Sequence, residues 1–138
     1  MAELLRRMAF RLREYVGNRR RSPRYRVRLA AVVALLDERA ASQPTVAGHT
    51  RDLSESGIGL VLPAVRLGDR YLTVEGLTLR VTLQLPETHV RLYASPVRYE
   101  RLEEEGGERG YLLGLRLAEA EDQDRQKFLE YLKGVARD

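Results

Sequence analysis

Leu77, Leu79, Val81, Leu83 and Leu85 alternate with Thr78, Arg80, Thr82 and Gln84. A period of two puts the apolar residues on one face of a β-strand and the polar ones on the other. Pro86-Glu87-Thr88 turns the chain directly afterwards. Segments of similar texture recur along the sequence. Tyr25 to Leu36 is rich in Val, Leu and Ala, and Thr45 to Leu53 and Ile58 to Leu62 come after the loop Asp37 to Pro44. Val90 to Arg101 and Tyr111 to Leu117 lie beyond the turn, separated by the acidic, Gly-rich stretch Glu103 to Gly110. Pro63 to Tyr71 reads as a connection. Several short strands at this spacing predict a small antiparallel barrel.

The two ends read as helix. Leu4, Leu5, Met8, Leu12, Tyr15 and Val16 fall near helical spacing, with Arg6, Arg7, Arg11 and Arg13 mostly on the other side, and Gly17-Asn18 is the stop. This helix can pack on its own domain, on a second subunit or on an anionic membrane. The first two fit better, because it is short and has no Trp, and a homodimer stays open. Asp122 to Val135 closes the chain as a helix with Phe128, Leu129 and Leu132 on its apolar face. The expected division is an amphipathic helix over 1–17 and a barrel with its C-terminal helix over 18–138. No apolar run approaches the roughly 20 residues of a membrane span, and no secretory signal is legible. There is no Cys, which removes thiolate chemistry and Cys-based metal sites and suits a reducing cytoplasm.

Charge is distributed unevenly. Ten Arg lie between Arg6 and Arg28, against the single acid Glu14, while acids gather at Glu103 to Glu105 and Glu119 to Asp124. An N-terminal segment so composed is suited to meet an anion. Two clusters carry the chemistry. The first is Arg19-Arg20-Arg21-Ser22-Pro23-Arg24, extended rather than helical between Asn18 and Pro23. Its guanidiniums offer planar forks that match phosphates and purine edges. Without ligand, Arg20 and Arg24 are expected to be exposed. The second cluster is the turn Asp52-Leu53-Ser54-Glu55-Ser56-Gly57, trailed by Ile58-Gly59-Leu60. Asp52 can accept from two donors at once, either guanine N1 and N2 or an Arg fork. Ser54 can bond the turn backbone or a phosphate. Gly57 permits a positive φ and close approach by a ligand. By itself, this turn reads better as an Asx- or Ser-capped hairpin with no ligand.

Together the clusters are more specific. An Arg-x-x-x-Arg element at Arg20 and Arg24 precedes the first strand. An Asp-x-Ser-x-x-Gly element at Asp52, Ser54 and Gly57 comes about thirty residues later. This order resembles the PilZ domain family over roughly residues 18 to 134, and Gly110 to Leu117 followed by Phe128-Leu129-Glu130-Tyr131-Leu132 resembles the family's C-terminal end. One departure is Gly114-Leu115-Arg116-Leu117, where members often carry Phe near the strand's end.

The resemblance implies a six-stranded antiparallel β-barrel with a C-terminal helix, here preceded by the N-terminal helix. It implies a receptor for cyclic di-GMP that changes conformation on binding, relays the signal to a downstream protein and catalyses nothing. Some members have lost the Arg motif and do not bind; this chain keeps both motifs. The implied ligand-binding residues are Arg19, Arg20, Arg24, Asp52, Ser54 and Gly57. Arg19, just before the motif, implies two intercalated cyclic di-GMP molecules, because its guanidinium can stack on a guanine.

Two other readings compete. A basic arm on a small barrel also suits single-stranded nucleic acid. Such binders usually expose aromatics on a strand face, whereas Trp is absent and Phe10 and Phe128 fall in predicted helices; seven Tyr keep the alternative open. An enzyme is disfavoured: His49 and His89 have neither metal spacing nor a nucleophile motif beside them.

Overall fold

The computed structural model describes residues 23–35, 44–67, 70–72, 76–102, 110–118 and 122–137. The expected N-terminal helix, with Arg19 and Arg20, lies outside the described residues, as does most of the acidic loop 103–110. The described strands are β1 (Ala30–Leu35), β2 (Thr45–Leu53), β3 (Gly57–Leu62), β4 (Arg66–Leu67), β5 (Arg70–Tyr71), β6 (Leu79–Gln84), β7 (His89–Leu102) and β8 (Gly110–Leu117). A helix, α1 (Asp122–Arg137), comes after them.

Six strands close into an antiparallel barrel in the order β1-β2-β3-β8-β7-β6, with β1 pairing β6 to complete the ring. Closure leaves no free edge among these six strands. The alternating residues of β6 do what their period demands: Leu79, Val81 and Leu83 are fully buried. They meet Val33, Leu53, Ile58, Leu60, Leu92, Leu113 and Leu115 in one core. α1 packs on β7 and adds Phe128 and Leu132 to that core. Its N-terminus is tied down where the Arg91 backbone N–H donates to Asp124 Oδ2 at 3.1 Å. Asp122 and Asp124 in its first turn also oppose the positive end of the helix dipole.

The structure corrects three details. The first strand begins at Ala30 rather than Tyr25. Tyr25 to Leu29 is extended but held separately, because a side-chain hydroxyl replaces part of the ladder there. The connection from Pro63 to Tyr71 contains the small β4–β5 hairpin, whose Leu67 is buried. The closing helix runs two residues past Val135, to Arg137.

Candidate ligand-binding site

The Arg-rich arm enters the described structure at Pro23 and is fastened to β2. Tyr25 and Leu53 exchange backbone hydrogen bonds, each 2.9 Å. Thr50, 1% exposed, accepts the Leu29 N–H at 2.8 Å through Oγ1 and donates its hydroxyl to the Val27 carbonyl. The Thr50 N–H donates to the Leu29 carbonyl at 2.8 Å. Tyr25, Val27 and Leu29 pack against the core, while Arg26 and Arg28 are exposed. Arg26 and Arg28 line a recess of about 360 Å³ with His49, Thr50 and Arg51.

This anchoring places Arg24 on Asp52. Their guanidinium and carboxylate form an ion pair that joins the two sequence clusters directly. The expectation that Arg24 is exposed without ligand does not hold. Its side chain is only 7% exposed, and that of Asp52 20%. Burial pulls the Arg24 guanidinium below its ordinary pKa; Asp52 opposes this, and the neighbouring charge of Arg98 adds to it.

Asp52 reaches the outer face of the barrel because β2 is irregular. Thr50 pairs Leu60 and Asp52 pairs Gly59, so Arg51 is an extra residue. Strict alternation from Thr50 would send Asp52 inward. The bulge flips the phase and turns it out. Opposite it, Gly59 leaves the space the carboxylate occupies: a Cβ there would lie 2.9 Å from Asp52 Oδ1 and 3.1 Å from Oδ2.

The turn after Asp52 is held by Ser54, which is fully buried. Its Oγ accepts the N–H of Gly57 at 2.9 Å and of Ser56 at 3.2 Å, and donates to the Gly57 carbonyl at 3.3 Å. Ser54 here fixes the turn that presents Asp52. Gly57 opens β3 opposite Arg116. It does not use the positive φ that glycine permits; the positive-φ glycines among the described residues are Gly76 and Gly110. The Ser54 hydroxyl satisfies the Ser56 and Gly57 N–H groups in a turn without a left-handed residue.

Sequence reasoning passes over part of this surface. β7 carries a second bulge, where Pro96 pairs Leu115 and Arg98 pairs Gly114. Val97 is the extra residue, and Arg98 is turned outward by the same change of phase. Gly59 and Gly114 pair with each other across β3 and β8. Asp52, Gly59, Gly114 and Arg98 therefore form one row across four adjacent strands. Pro96 is the available signal, since proline inside a strand marks an edge or a bulge.

A family model described as PilZ domain matches residues 18–134. No curated protein matches the chain. Among solved structures, the inhibitor of motility (MotI/DgrA) of Bacillus subtilis is similar at 21% identity and a TM-score of 0.59, over 82% of this chain and 49% of that one. The present chain thus spans about half the length of that protein. The PilZ domain with c-di-GMP of YcgR from Escherichia coli matches at 15% identity and a TM-score of 0.63, over 86% and 92% of the two chains. The PilZ domain of CeSA from a cellulose synthesizing bacterium matches at 17% identity and a TM-score of 0.54, over 82% and 97%. Identities this low speak to the fold.

Proposed function

The chain belongs to the PilZ domain family, and from that premise we propose that it is a non-catalytic receptor for cyclic di-GMP. The observation that carries the reading is the Arg24–Asp52 ion pair, which brings the two clusters to one place on the barrel wall. Cyclic di-GMP presents two phosphates and two guanines. Guanine offers N7 and O6 acceptors to an Arg fork and N1 and N2 donors to a carboxylate. Arg20 and Arg24 grip phosphates and Hoogsteen edges; Asp52 takes an N1/N2 edge or orients an Arg. Ser54 and Gly57 shape the turn that holds Asp52 in place, and Ser54 is the residue that would reach a phosphate if the turn opened. Arg19 stacks on guanine, so two intercalated ligands are expected per chain. Support for the ligand class comes from the YcgR domain, which was solved with c-di-GMP.

On binding, the Arg arm reorganises and the change passes to a partner protein. Among the described residues, no helix is long and apolar enough to cross a membrane.

Calorimetry tests the proposal. Cyclic di-GMP should bind with two molecules per chain, while GTP and cyclic di-AMP bind far more weakly. Adenine lacks O6 and the N1/N2 donor pair, at a cost of roughly 1–3 kcal/mol per lost bidentate contact. Arg20→Ala or Arg24→Ala should abolish binding, and Arg7→Ala should leave it intact. Equal binding of cyclic di-AMP would overturn the ligand assignment. An equal loss in Arg7→Ala would reduce the site to bulk charge. Heat that vanished steeply with added salt and was matched by single-stranded DNA would favour a nucleic-acid binder.

A further inference from the structure

The geometry points to Arg98 as a third guanidinium of the binding site, contributed from outside both sequence motifs and aimed at a phosphate of the ligand. The inference rests on the proposed binding of cyclic di-GMP and adds a residue to that site.

Four observations converge on it. The β7 bulge at Val97 turns Arg98 onto the outer face, at the row where the β2 bulge turns out Asp52. Between them lie only the paired glycines Gly59 and Gly114. No side chain rises from either, so the two flanking side chains can lean across neighbouring strands. Arg98 does so: a Cβ on Gly114 would lie 2.8 Å from Arg98 Cγ and 3.3 Å from Nε. Its stem therefore crosses Gly114, heading for β3. Finally, Arg98 is near enough to disfavour the charge on Arg24.

Arg24 and Arg98 bring two positive charges to one half-buried row, where the Asp52 carboxylate supplies one negative charge. A phosphodiester placed between the guanidiniums adds a second negative charge and can accept from both forks. Arg24 comes from the arm and reaches the row through Asp52. Arg98 stands on the barrel wall and gives the site a fixed cationic side. Its side chain is partly buried and extended over Gly114, so little of its freedom remains to be lost on binding.

A double-mutant cycle tests the assignment, with cyclic di-GMP as titrant and thermal melting as the fold check. Arg98→Ala should weaken binding at least tenfold without lowering the melting temperature appreciably. Gly114→Ala is the second arm. Gly114 has no positive φ, and the nearest atoms to the added methyl are Arg98 Cγ, Cδ and Nε. It should therefore act by pushing Arg98 aside. A severalfold loss is expected from Gly114→Ala alone, with no further loss when it is added to Arg98→Ala. Binding by Arg98→Ala within twofold of the unmodified chain overturns the inference. So does an equal loss from Gly114→Ala in both backgrounds, because the methyl would then act through the barrel. Failure of the unmodified chain to bind cyclic di-GMP overturns the proposed function itself, and the Arg98 role with it.

Discussion

Gly59 shows how much of the site depends on an atom that is missing. Asp52 can lie flat against β3 and meet Arg24 only because no Cβ stands between its carboxylate and the strand. Gly59→Ala introduces that atom, and the three heavy atoms nearest to it are all of the Asp52 carboxyl group. The backbone tolerates alanine, since Gly59 has no positive φ. The carboxylate must then rise off the strand and away from the Arg24 fork. The expected outcome is a loss of about one bidentate contact, roughly 1–3 kcal/mol of binding, with little change in melting temperature. Calorimetry on Gly59→Ala checks this; unchanged affinity would mean that the position of Asp52 is not used in binding. In the sequence, Gly59 is a motif residue without a role, and Gly57 takes the conformational one. Spacing names a glycine, but only the residue across the strand says why it is there.

At the scale of elements, the period of two is a reliable guide wherever it runs unbroken. The alternation of Leu77 to Leu85 gives β6 to within two residues at either end, and β2 agrees in both bounds. The signal weakens where a strand changes phase. Arg51 and Val97 are single extra residues, and each swings the side chains beyond it to the opposite face. Asp52 is legible through its motif despite the bulge. Arg98 has no motif and stays hidden in a strand. The arm misleads for a related reason: Tyr25 to Leu29 has strand texture, yet Thr50 holds it with a side chain. That clamp can be tested. Thr50→Val keeps the shape but leaves the Leu29 N–H and the Val27 carbonyl without the hydroxyl partner. Urea unfolding should show a loss of about 1–3 kcal/mol, and affinity for cyclic di-GMP should fall as Arg24 loses its anchorage. Unchanged stability would mean that the backbone bonds of Tyr25 and Thr50 suffice.

For the whole molecule, the barrel and the arm stand in different relations to the ligand. The barrel is a closed ring around one continuous core, and Asp52 and Arg98 are fixed to its wall. The arm carries its charge on residues that repel one another: Arg19, Arg20, Arg21 and Arg24 lie within six positions. An anion bound between arm and wall removes that repulsion, so binding should draw the arm onto the barrel. The apolar series Leu4, Leu5, Met8 and Leu12 sits just upstream, joined through Gly17. Movement of the arm is expected to carry over to it, with a change in the surface that series covers as the expected output to a partner. Hydrogen exchange with and without cyclic di-GMP reads both steps. Slower exchange is expected across Arg19 to Arg24 and at the Asp52 turn, together with altered exchange across residues 3 to 16. Protection confined to the arm and the turn would leave the N-terminal segment without a part in signalling, and the output would then have to be sought at the recess lined by Arg26, Arg28 and Arg51.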